Sequence, residues 1–323
     1  MKILITGGAG FIGSHLAEAL LGAGHSVAVI DNLSTGSMEN IEAIRDRKGF
    51  SFYVDSIMNT SLMERLIGEA DSVFHLAAAV GVKYIIDNPL ESIKTNVAGT
   101  EIVLDCANRQ GHKKVIIAST SEVYGKNMDG LKAFRESDDR VLGTTTIPRW
   151  SYSCTKALDE FLALAYYKEK KLPVVIVRLF NTCGPRQTGR YGMVLPRFIR
   201  QALTGRPITV YGDGTQTRCF TYVDDVIDAL LALMGTDKAV GEIFNLGNPD
   251  SISIKDLAGK VKETTGSASR IINIPYEQAY EVGFEDMKHR QPDISKIKDL
   301  IGFDPKVPID EIITRTVEYF REN

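Results

Sequence analysis

The sequence has little cysteine and histidine, no long apolar segment and no excess of charge of either sign. Its four cysteines and five histidines are scattered over 323 residues without the close spacing of metal sites and disulfide frameworks, so we expect reduced thiols and no metal. No apolar run approaches the roughly 20 residues that cross a bilayer. A net charge of −3 gives no reason to expect binding to nucleic acid or to an anionic membrane. Because a strand-like segment begins at Lys2, we expect no signal peptide and a cytoplasmic location.

The sequence does contain a repeated alternation of strand-like and helix-like segments. Hydrophobic residues make up 44% and charged residues 24%, as in ordinary globular proteins, and the length suffices for two lobes. The alternation predicts an α/β fold with a doubly wound parallel Rossmann sheet. Turn residues and arginines become frequent after residue 180, so we predict a first domain over 1–180 and a smaller C-terminal α/β domain over 181–323. A strand at Glu242–Leu246 can rejoin the first sheet. The strands predicted for the first domain lie near residues 2–6, 27–30, 50–54, 72–78, 114–119 and 173–177.

The first 31 residues contain the most specific pattern of the chain. Apolar strands at Lys2–Thr6 and Val27–Ile30 flank the turn Gly7–Gly13 and a helix. Glycines permit a tight turn and let the backbone approach a pyrophosphate, which then lies at the positive end of the helix. Asp31 follows the second strand, where a carboxylate accepts hydrogen bonds from both ribose hydroxyls and repels a 2′-phosphate. The expected cofactor is therefore NAD rather than NADP.

A tyrosine and a lysine, Tyr152 and Lys156, lie four residues apart on a predicted helix and so share one face of it. An ammonium beside a phenol, aided by a positive nicotinamide ring, lowers the pKa of the phenol from about 10. Such pairs are common on solvated helices, but here the pair follows a dinucleotide-binding pattern. We therefore predict that Tyr152 is a general base for an alcohol and that Lys156 holds the nicotinamide ribose.

The glycine turn, Asp31, Thr120 and the pair Tyr152 and Lys156, in this order and spacing, resemble the extended short-chain dehydrogenase/reductase superfamily. The branch that they resemble contains nucleotide-sugar epimerases, dehydratases and decarboxylases, and the similarity covers essentially the whole chain. This resemblance implies that residues 181–323 bind a nucleotide sugar such as a UDP-sugar. It also implies that Thr120 binds the sugar 4-hydroxyl and that Tyr152 removes its proton while NAD takes the hydride.

The same resemblance implies the other contacts of the site and a homodimer that pairs through residues 98–108 and 158–165. In it, Asn181 and Arg218 hold the diphosphate, and Tyr211 packs near the base. Many relatives have Asp-Ile where this chain has Ser56 and Ile57. The residues expected at the cofactor are Gly7, Gly10, Phe11, Ile12, Gly13, Asp31, Asn32, Ser34, Thr35, Gly36, Ser56, Ile57, Leu76, Ala77, Ala78, Asn96 and Lys156. Those expected at the substrate are Asn181, Arg186, Arg190, Val194, Tyr211, Arg218 and Arg290.

The tripeptide Thr120-Ser121-Glu122 bears on the reaction. Dehydratases of this branch resemble Thr-Asp-Glu, and a serine has no readily donated proton for the departing 6-hydroxyl, so dehydration is disfavoured. The segment Thr120–Gly125 is instead similar to UDP-glucuronate decarboxylases. A 4-keto group turns the 6-carboxylate into a β-keto acid that loses carbon dioxide, and Ser121 and Glu122 would manage the proton at carbon 5. By the same resemblance, Arg290 pairs with either the diphosphate or the substrate carboxylate.

Two other segments keep a second reaction open. Residues 184–192 look at least as much like UDP-sugar 4-epimerases, and Trp150–Ser153 differs from the usual start of the xylose-synthase helix. The preferred hypothesis is decarboxylation of UDP-glucuronate, and the alternative is 4-epimerisation of a UDP-hexose or a UDP-uronic acid. A non-catalytic NAD-binding protein is a remote alternative, because such a protein would have no need of Tyr152 and Lys156.

Overall fold

The computed structural model describes residues 1–128, 133–189, 193–279 and 287–322. Its strands in chain order are β1 (Lys2–Thr6), β2 (Ser26–Asp31), β3 (Phe50–Val54), β4 (Ser72–His75), β5 (Lys114–Thr120), β6 (Val174–Leu179), β7 (Thr182–Cys183), β8 (Ile208–Tyr211), β9 (Thr217–Cys219), β10 (Thr221–Tyr222), β11 (Ile243–Leu246), β12 (Ser251–Ser253), β13 (Ile271–Ile274) and β14 (His289–Arg290). The α-helices are α1 (Phe11–Gly22), α2 (Thr60–Glu69), α3 (Val82–Asp87), α4 (Pro89–Arg109), α5 (Arg149–Lys170), α6 (Val194–Leu203), α7 (Val223–Met234), α8 (Ile254–Thr265), α9 (Tyr276–Ala279), α10 (Ser295–Ile301) and α11 (Ile309–Glu322). Short 3-10 helices occur at Met38–Ile44, Ser121–Tyr124 and Asp237–Ala239.

One parallel sheet of seven strands, in the order β11-β6-β5-β4-β1-β2-β3, forms the centre of the molecule. Strand β4 is buried along its whole length, and β6 is buried from Val174 to Arg178. Such mostly apolar, doubly covered strands are typical of parallel sheets with helices on both faces. The doubly wound Rossmann sheet predicted from the sequence is confirmed. The strand order reverses between β1 and β4, which is where open α/β sheets bind their ligands.

Strand β11 joins this sheet late in the chain. Ile243 lies opposite Ile176 and Leu246 opposite Leu179, so β11 extends the sheet beyond β6. The predicted return of this segment to the first sheet is therefore observed. The domain limits 1–180 and 181–323 stay a prediction.

Most of the chain after β6, here called the second lobe, lines the same cleft as the carboxyl ends of β1, β2, β4 and β5. It contains the pair β8 and β13 and the three-stranded sheet β12-β9-β14, with α6, α8 and α11 packed together beside them. One apolar cluster runs from Ile3 and Ile5 of the Rossmann sheet to Leu195 and Phe198 of α6. The two lobes therefore share a core, and a cleft lies where their polar edges meet.

Within the described ranges, no helix is both long enough and apolar enough to cross a membrane. In the same part of the chain, no group of three or more histidine, cysteine, aspartate or glutamate side chains is arranged to hold a metal ion.

Candidate active site

A cleft of about 880 Å³ opens at the carboxyl ends of β1, β2, β4 and β5 and extends under the second lobe. Its floor is the glycine turn after β1, and its far end is formed by residues of β8, β9 and α6. Residues that the sequence placed at a cofactor and at a substrate therefore line one continuous cavity.

The glycine turn has a shape that side chains would obstruct. Gly7 has a φ of +72°, and a Cβ there would lie 2.8 Å from the backbone nitrogen of Ala77. A Cβ on Gly13 would lie 2.3 Å from the carbonyl oxygen of Gly7. Helix α1 begins at Phe11 after Gly10, which has no side chain to cap the first N–H groups. The turn therefore leaves a cradle of backbone donors at a helix N-terminus, which fits the pyrophosphate of a dinucleotide.

Asp31 ends β2 at the wall of the cleft, with 8% of its surface exposed. Its carboxylate accepts the N–H of Ala9 at 3.0 Å and that of Leu33 at 2.8 Å. Burial raises the pKa of Asp31, and these backbone hydrogen bonds act against that rise. Gly36 lies directly beside the carboxylate, where a Cβ would be 3.0 Å from Oδ2. The group is thus positioned next to the glycine turn, as a ribose-binding acid requires.

The other cofactor residues predicted from the sequence line the cleft, with two exceptions. Asn96 lies behind the wall and holds the loop after β4: its Oδ1 accepts the N–H of Ala79 at 2.8 Å, and its Nδ2 donates to Thr155 Oγ1 at 3.4 Å. Asn96 therefore supports the wall of the cleft, and its direct contact with the cofactor stays a prediction. Lys156 is the second exception. Those that line the cleft are Gly7, Gly10, Phe11, Ile12, Gly13, Asp31, Asn32, Ser34, Thr35, Gly36, Ser56, Ile57, Leu76, Ala77 and Ala78.

Lys156 is buried with an acid three residues further along α5. Its Nζ donates to Asp159 Oδ2 at 2.7 Å, and the two side chains are 2% and 1% exposed. The sequence analysis considered the lysine ammonium only as a positive charge beside Tyr152. In the structure that charge is already paired, because the ammonium donates a hydrogen bond to the carboxylate of Asp159.

Tyr152, Thr120 and Glu122 meet at the centre of the cleft. Burial raises the pKa of Tyr152 above its ordinary value, and the negative charges of Glu122 and Asp159 raise it further, whereas a hydrogen bond with Thr120 lowers it. The lowered pKa expected from the sequence is thus not found in the protein alone. A positive charge has to enter the cleft before the phenol can act as a base near neutral pH.

Glu122 is held between two arginines. Arg149 Nη2 lies 3.2 Å from its Oε2, and Arg290 Nη1 forms a second ion pair with its Oε1. Burial would raise the pKa of Glu122, but the two guanidinium groups prevail and lower it to about 2. Glu122 is therefore ionised throughout the physiological range. Ser121, which the sequence placed among the catalytic residues, is only 2% exposed and lies in the short helix beneath this carboxylate.

The pairing of β14 with β9 brings Arg290 to the centre of the cleft. Arg290 Nη2 donates to Asn181 Oδ1 at 2.6 Å, and Asn181 Nδ2 donates to the carbonyl oxygen of Cys219 at 2.9 Å. Arg218, on β9, is 8% exposed and lines the cleft. The structure thus groups Asn181, Arg218 and Arg290 as the sequence predicted.

The other predicted substrate residues lie in different surroundings. Arg186 lines the cleft, but its Nη2 donates to Glu18 Oε2 of α1 at 2.6 Å, so it also ties the second lobe to the cofactor helix. Val194 begins α6 at the cleft wall. Tyr211 ends β8, with the Arg197 guanidinium 4.0 Å from its ring centroid. Arg190 lies outside the described residues.

A family model described as GDP-mannose 4,6 dehydratase matches residues 4–316. The chain belongs to this family. The family lies in the nucleotide-sugar branch of the extended short-chain dehydrogenases/reductases, so the resemblance stated from the sequence is confirmed.

The chain is also similar to individual proteins with named activities and to solved structures. A UDP-N-acetyl-α-D-glucosaminuronate decarboxylase of Bacillus cytotoxicus is 46% identical over 99% of this chain and 98% of its own length. A UDP-glucuronic acid decarboxylase 1 of Xenopus tropicalis is 39% identical over 99% of this chain and 72% of its own. The structure also resembles a UDP-glucuronic acid 4-epimerase of Bacillus cereus in complex with UDP-glucuronic acid and NAD, with a TM-score of 0.90, 32% identity and coverage of 100% and 99%. The NAD in that neighbour agrees with the cofactor predicted from the sequence.

Sequence reasoning missed two charged residues of the site, Arg149 and Asp159. Arg149 is the first residue of α5, three residues before Tyr152, and Asp159 lies three residues after Lys156. Spacing of three or four residues on a helix places side chains on one face, so both were within reach of the same argument that selected Tyr152 and Lys156. What the spacing could not indicate is that Glu122 approaches Arg149 from a different segment.

Proposed function

We propose that this protein is an NAD-dependent decarboxylase of a UDP-uronic acid. The observation that supports this most is the charge arrangement around Glu122, an ionised carboxylate held by Arg149 and Arg290 beside Tyr152. A 4-epimerase breaks no bond between carbons 5 and 6, whereas a decarboxylase must break that bond and then have a proton delivered to carbon 5. The relatives named as decarboxylases, 46% and 39% identical over almost the whole chain, favour the same reaction.

The first step is oxidation of the sugar at carbon 4. The glycine turn and Asp31 would hold NAD, which would supply a hydride acceptor and a positive charge that lowers the pKa of Tyr152. Thr120 holds the 4-hydroxyl, and Tyr152 removes its proton. A base positioned within hydrogen-bond reach accelerates such a transfer by about 100-fold or more. The outcome is a 4-keto sugar whose 6-carboxylate is a β-keto acid.

In the second step, the carboxylate is lost as carbon dioxide. Arg290 already donates from Nη1 and Nη2, and its Nε is buried without a hydrogen-bond partner among the described residues. Arg290 lines the cleft beside Glu122, so we assign it to the substrate carboxylate rather than to the diphosphate. Loss of carbon dioxide leaves an enolate, which takes a proton at carbon 5 from a water molecule that Glu122 orients. The hydride removed in the first step would return to carbon 4, and Tyr152 gives its proton back to the 4-oxygen.

Two nucleotide sugars are candidates for the substrate. One relative carries UDP-N-acetylglucosaminuronate in its name and others carry UDP-glucuronate, and the two differ at carbon 2, away from the reacting carboxylate. The likeness to a UDP-glucuronic acid 4-epimerase makes 4-epimerisation of a UDP-uronic acid the second candidate reaction.

The test is to incubate the purified protein with NAD and, separately, with UDP-glucuronate, UDP-N-acetylglucosaminuronate and UDP-glucose. We expect a product lighter by the mass of carbon dioxide from one or both uronates, identified as a UDP-pentose by NMR. An unchanged mass with an inverted configuration at carbon 4 would instead establish the epimerase.

We further propose that two copies pair through α4 and α5. These helices pack against each other, and they leave large apolar side chains on the outside: Leu90 is 65%, Leu158 49% and Phe161 65% exposed. Large exposed apolar side chains favour burial against a partner. Leu158 and Phe161 lie in the segment 158–165 that the resemblance placed at a dimer interface, whereas Leu90 lies before the segment 98–108.

We also infer a cytoplasmic location. All four cysteines are free, as expected in a reducing compartment. Fractionation of cells that produce the protein tests this inference, and recovery outside the cytoplasm would contradict it.

A further inference from the structure

The buried pair of Lys156 and Asp159 calls for an explanation beyond stability. The ammonium and the carboxylate lie 2.7 Å apart with almost no exposed surface. Removing two charges from water costs free energy that their attraction does not always return, and apolar residues of similar size often stabilise a fold as well or better. Asp159 Oδ1 also has no hydrogen-bond partner among the described side chains and backbone groups. The pair is therefore better explained by a role in the site.

A line of polar side chains connects this pair to the wall of the cofactor cleft. Burial raises the pKa of Asp159, and Thr100, on α4, is one of the groups that lower it. Thr100 Oγ1 lies 3.1 Å from His75 Nε2, and His75 Nδ1 lies 2.8 Å from Thr6 Oγ1. Thr6 Oγ1 in turn accepts the N–H of Ala77, a residue of the cleft wall, at 3.2 Å.

The protonation state of His75 determines which groups along this line donate hydrogen bonds and which accept them. Burial, with a further contribution from the charge of Lys156, lowers the pKa of His75 to about 3, so the ring is neutral. A neutral imidazole has one donor and one acceptor. An assignment that fits these distances has Thr6 donating to Nδ1 and Nε2 donating to Thr100, which leaves the hydroxyl proton of Thr100 available to Asp159. Thr100, like Lys156, lowers the pKa of Asp159.

An ammonium group has three protons to donate. We propose that Asp159 is a positioning residue: it accepts a hydrogen bond from Lys156, which lies just behind the lining of the cleft one turn from Tyr152, and it leaves the other two ammonium protons for the nicotinamide ribose once NAD is bound. The inference rests on the proposed function only in that the protein binds NAD and oxidises a sugar at carbon 4. Asp159 itself contacts neither substrate nor cofactor and acts through Lys156.

The charge of the Asp159 carboxylate also affects the pKa of Tyr152. Burial and the negative charges of Glu122 and Asp159 raise the pKa of Tyr152, whereas Thr120 and Arg290 lower it. Loss of the Asp159 charge should therefore lower the pKa of Tyr152, and the released charge of Lys156 acts in the same direction. The charged and titratable groups that face Tyr152 or the buried pair are Glu122, Arg290, Lys156, Asp159, Glu160 and His75.

The experiment compares three variants at position 159 with the wild type. Asp159→Asn keeps an oxygen for Lys156 and removes the charge, Asp159→Glu keeps the charge and displaces it, and Asp159→Ala removes both. Asp225→Asn is the matched control, since Asp225 is a half-buried carboxylate on α7 that accepts the N–H groups of Lys306 and Val307. The measurements are NAD affinity by calorimetry, kcat/KM against pH, and thermal unfolding.

We expect Asp159→Asn to move the acid limb of kcat/KM to lower pH by about one unit, since a nearby charge shifts a pKa by that order. Asp159→Ala should bind NAD about tenfold more weakly, as for loss of a charged hydrogen bond that positions a ligand group. Asp159→Glu should keep the acid limb of the wild type but bind NAD more weakly. Asp225→Asn should match the wild type in both measurements.

An unchanged acid limb in Asp159→Asn, together with unchanged NAD affinity in Asp159→Ala, would overturn the proposal. If Asp159→Asn is not recovered folded, the NAD affinity of Asp159→Glu decides alone, and wild-type affinity contradicts the inference. These readouts concern cofactor binding and the first proton transfer. A wild type that epimerises its substrate would therefore refute the decarboxylase and leave the test of Asp159 valid.

Discussion

At the scale of single residues, the site is a set of charges held close together. Glu122 and Asp159 are the acids, and Arg149, Arg290 and Lys156 are their partners. The sequence predicted Tyr152, Lys156, Glu122 and Arg290 from motifs. It could not predict that Arg290 reaches Glu122, because the two are 168 residues apart and meet only through the pairing of β14 with β9.

Replacement of Arg149 tests whether Glu122 must be ionised. In Arg149→Met the pKa of Glu122 rises from about 2 because one of its two guanidinium partners is lost. Its charge is present above the folded-state pKa, so a further loss of activity at acidic pH, below the limb set by Tyr152, should begin at a higher pH than in the wild type, and kcat should fall by about tenfold. Arg135→Met is the control, since Arg135 is 64% exposed and pairs with Asp293. A pH profile that is the same in Arg149→Met and in the wild type would contradict this role of Glu122.

At the scale of elements, the strands were predicted well and the connections less well. The segments 2–6 and 50–54 are strands with the predicted bounds, because apolar runs bounded by turn residues specify them. Strand β4 ends at His75, three residues earlier than predicted, since Leu76–Ala78 leave the sheet to line the cleft. The segment after β5, for which the hydrophobic pattern predicts no regular element, is a 3-10 helix that starts where Thr120 Oγ1 accepts the N–H of Glu122. Such local hydrogen bonds are not visible in a hydrophobic pattern.

Helix α1 offers a paired test of the cofactor cradle. In Gly13→Ala the added methyl group would lie 2.3 Å from the carbonyl oxygen of Gly7, so the turn must shift. We expect NAD affinity to fall at least about tenfold, because the helix N-terminus no longer faces the pyrophosphate. Gly22→Ala, on the same helix, meets no atom within 4 Å and should leave affinity unchanged while stabilising the fold by about 0.4–1 kcal/mol. Calorimetric titration with NAD checks both, and wild-type affinity in Gly13→Ala would refute the cradle.

At the scale of the whole molecule, the cleft exists because the chain crosses between lobes more than once. The return of β11 to the Rossmann sheet was anticipated from its apolar pattern, and its register with β6 is set by that pattern. The packing of α6 against the first lobe was not predicted from the sequence, because contacts between helices depend on shape as well as on periodicity. The exposed apolar face of α4 and α5 also concerns the whole molecule, because it bears on how copies of the chain assemble.

That face predicts the assembly state. Phe161→Glu places a charge where 65% of an apolar ring is exposed, so it should convert a dimer to a monomer without loss of folded structure. Glu169→Lys, near the end of α5 and exposed, is a control for the change of charge. Light scattering after size-exclusion chromatography measures the mass, and a wild-type monomer would contradict the proposed dimer.

The central claim is that Tyr152 starts an oxidation whose product loses carbon dioxide. Its most direct test is to measure carbon dioxide and UDP-pentose together, with a UDP-uronate as substrate, for the wild type and for Tyr152→Phe. We predict equal amounts of both products from the wild type and at least about 100-fold slower formation of both by Tyr152→Phe, with binding of UDP retained. Carbon dioxide release at the wild-type rate from Tyr152→Phe, or substrate conversion by the wild type without any carbon dioxide, would contradict the claim.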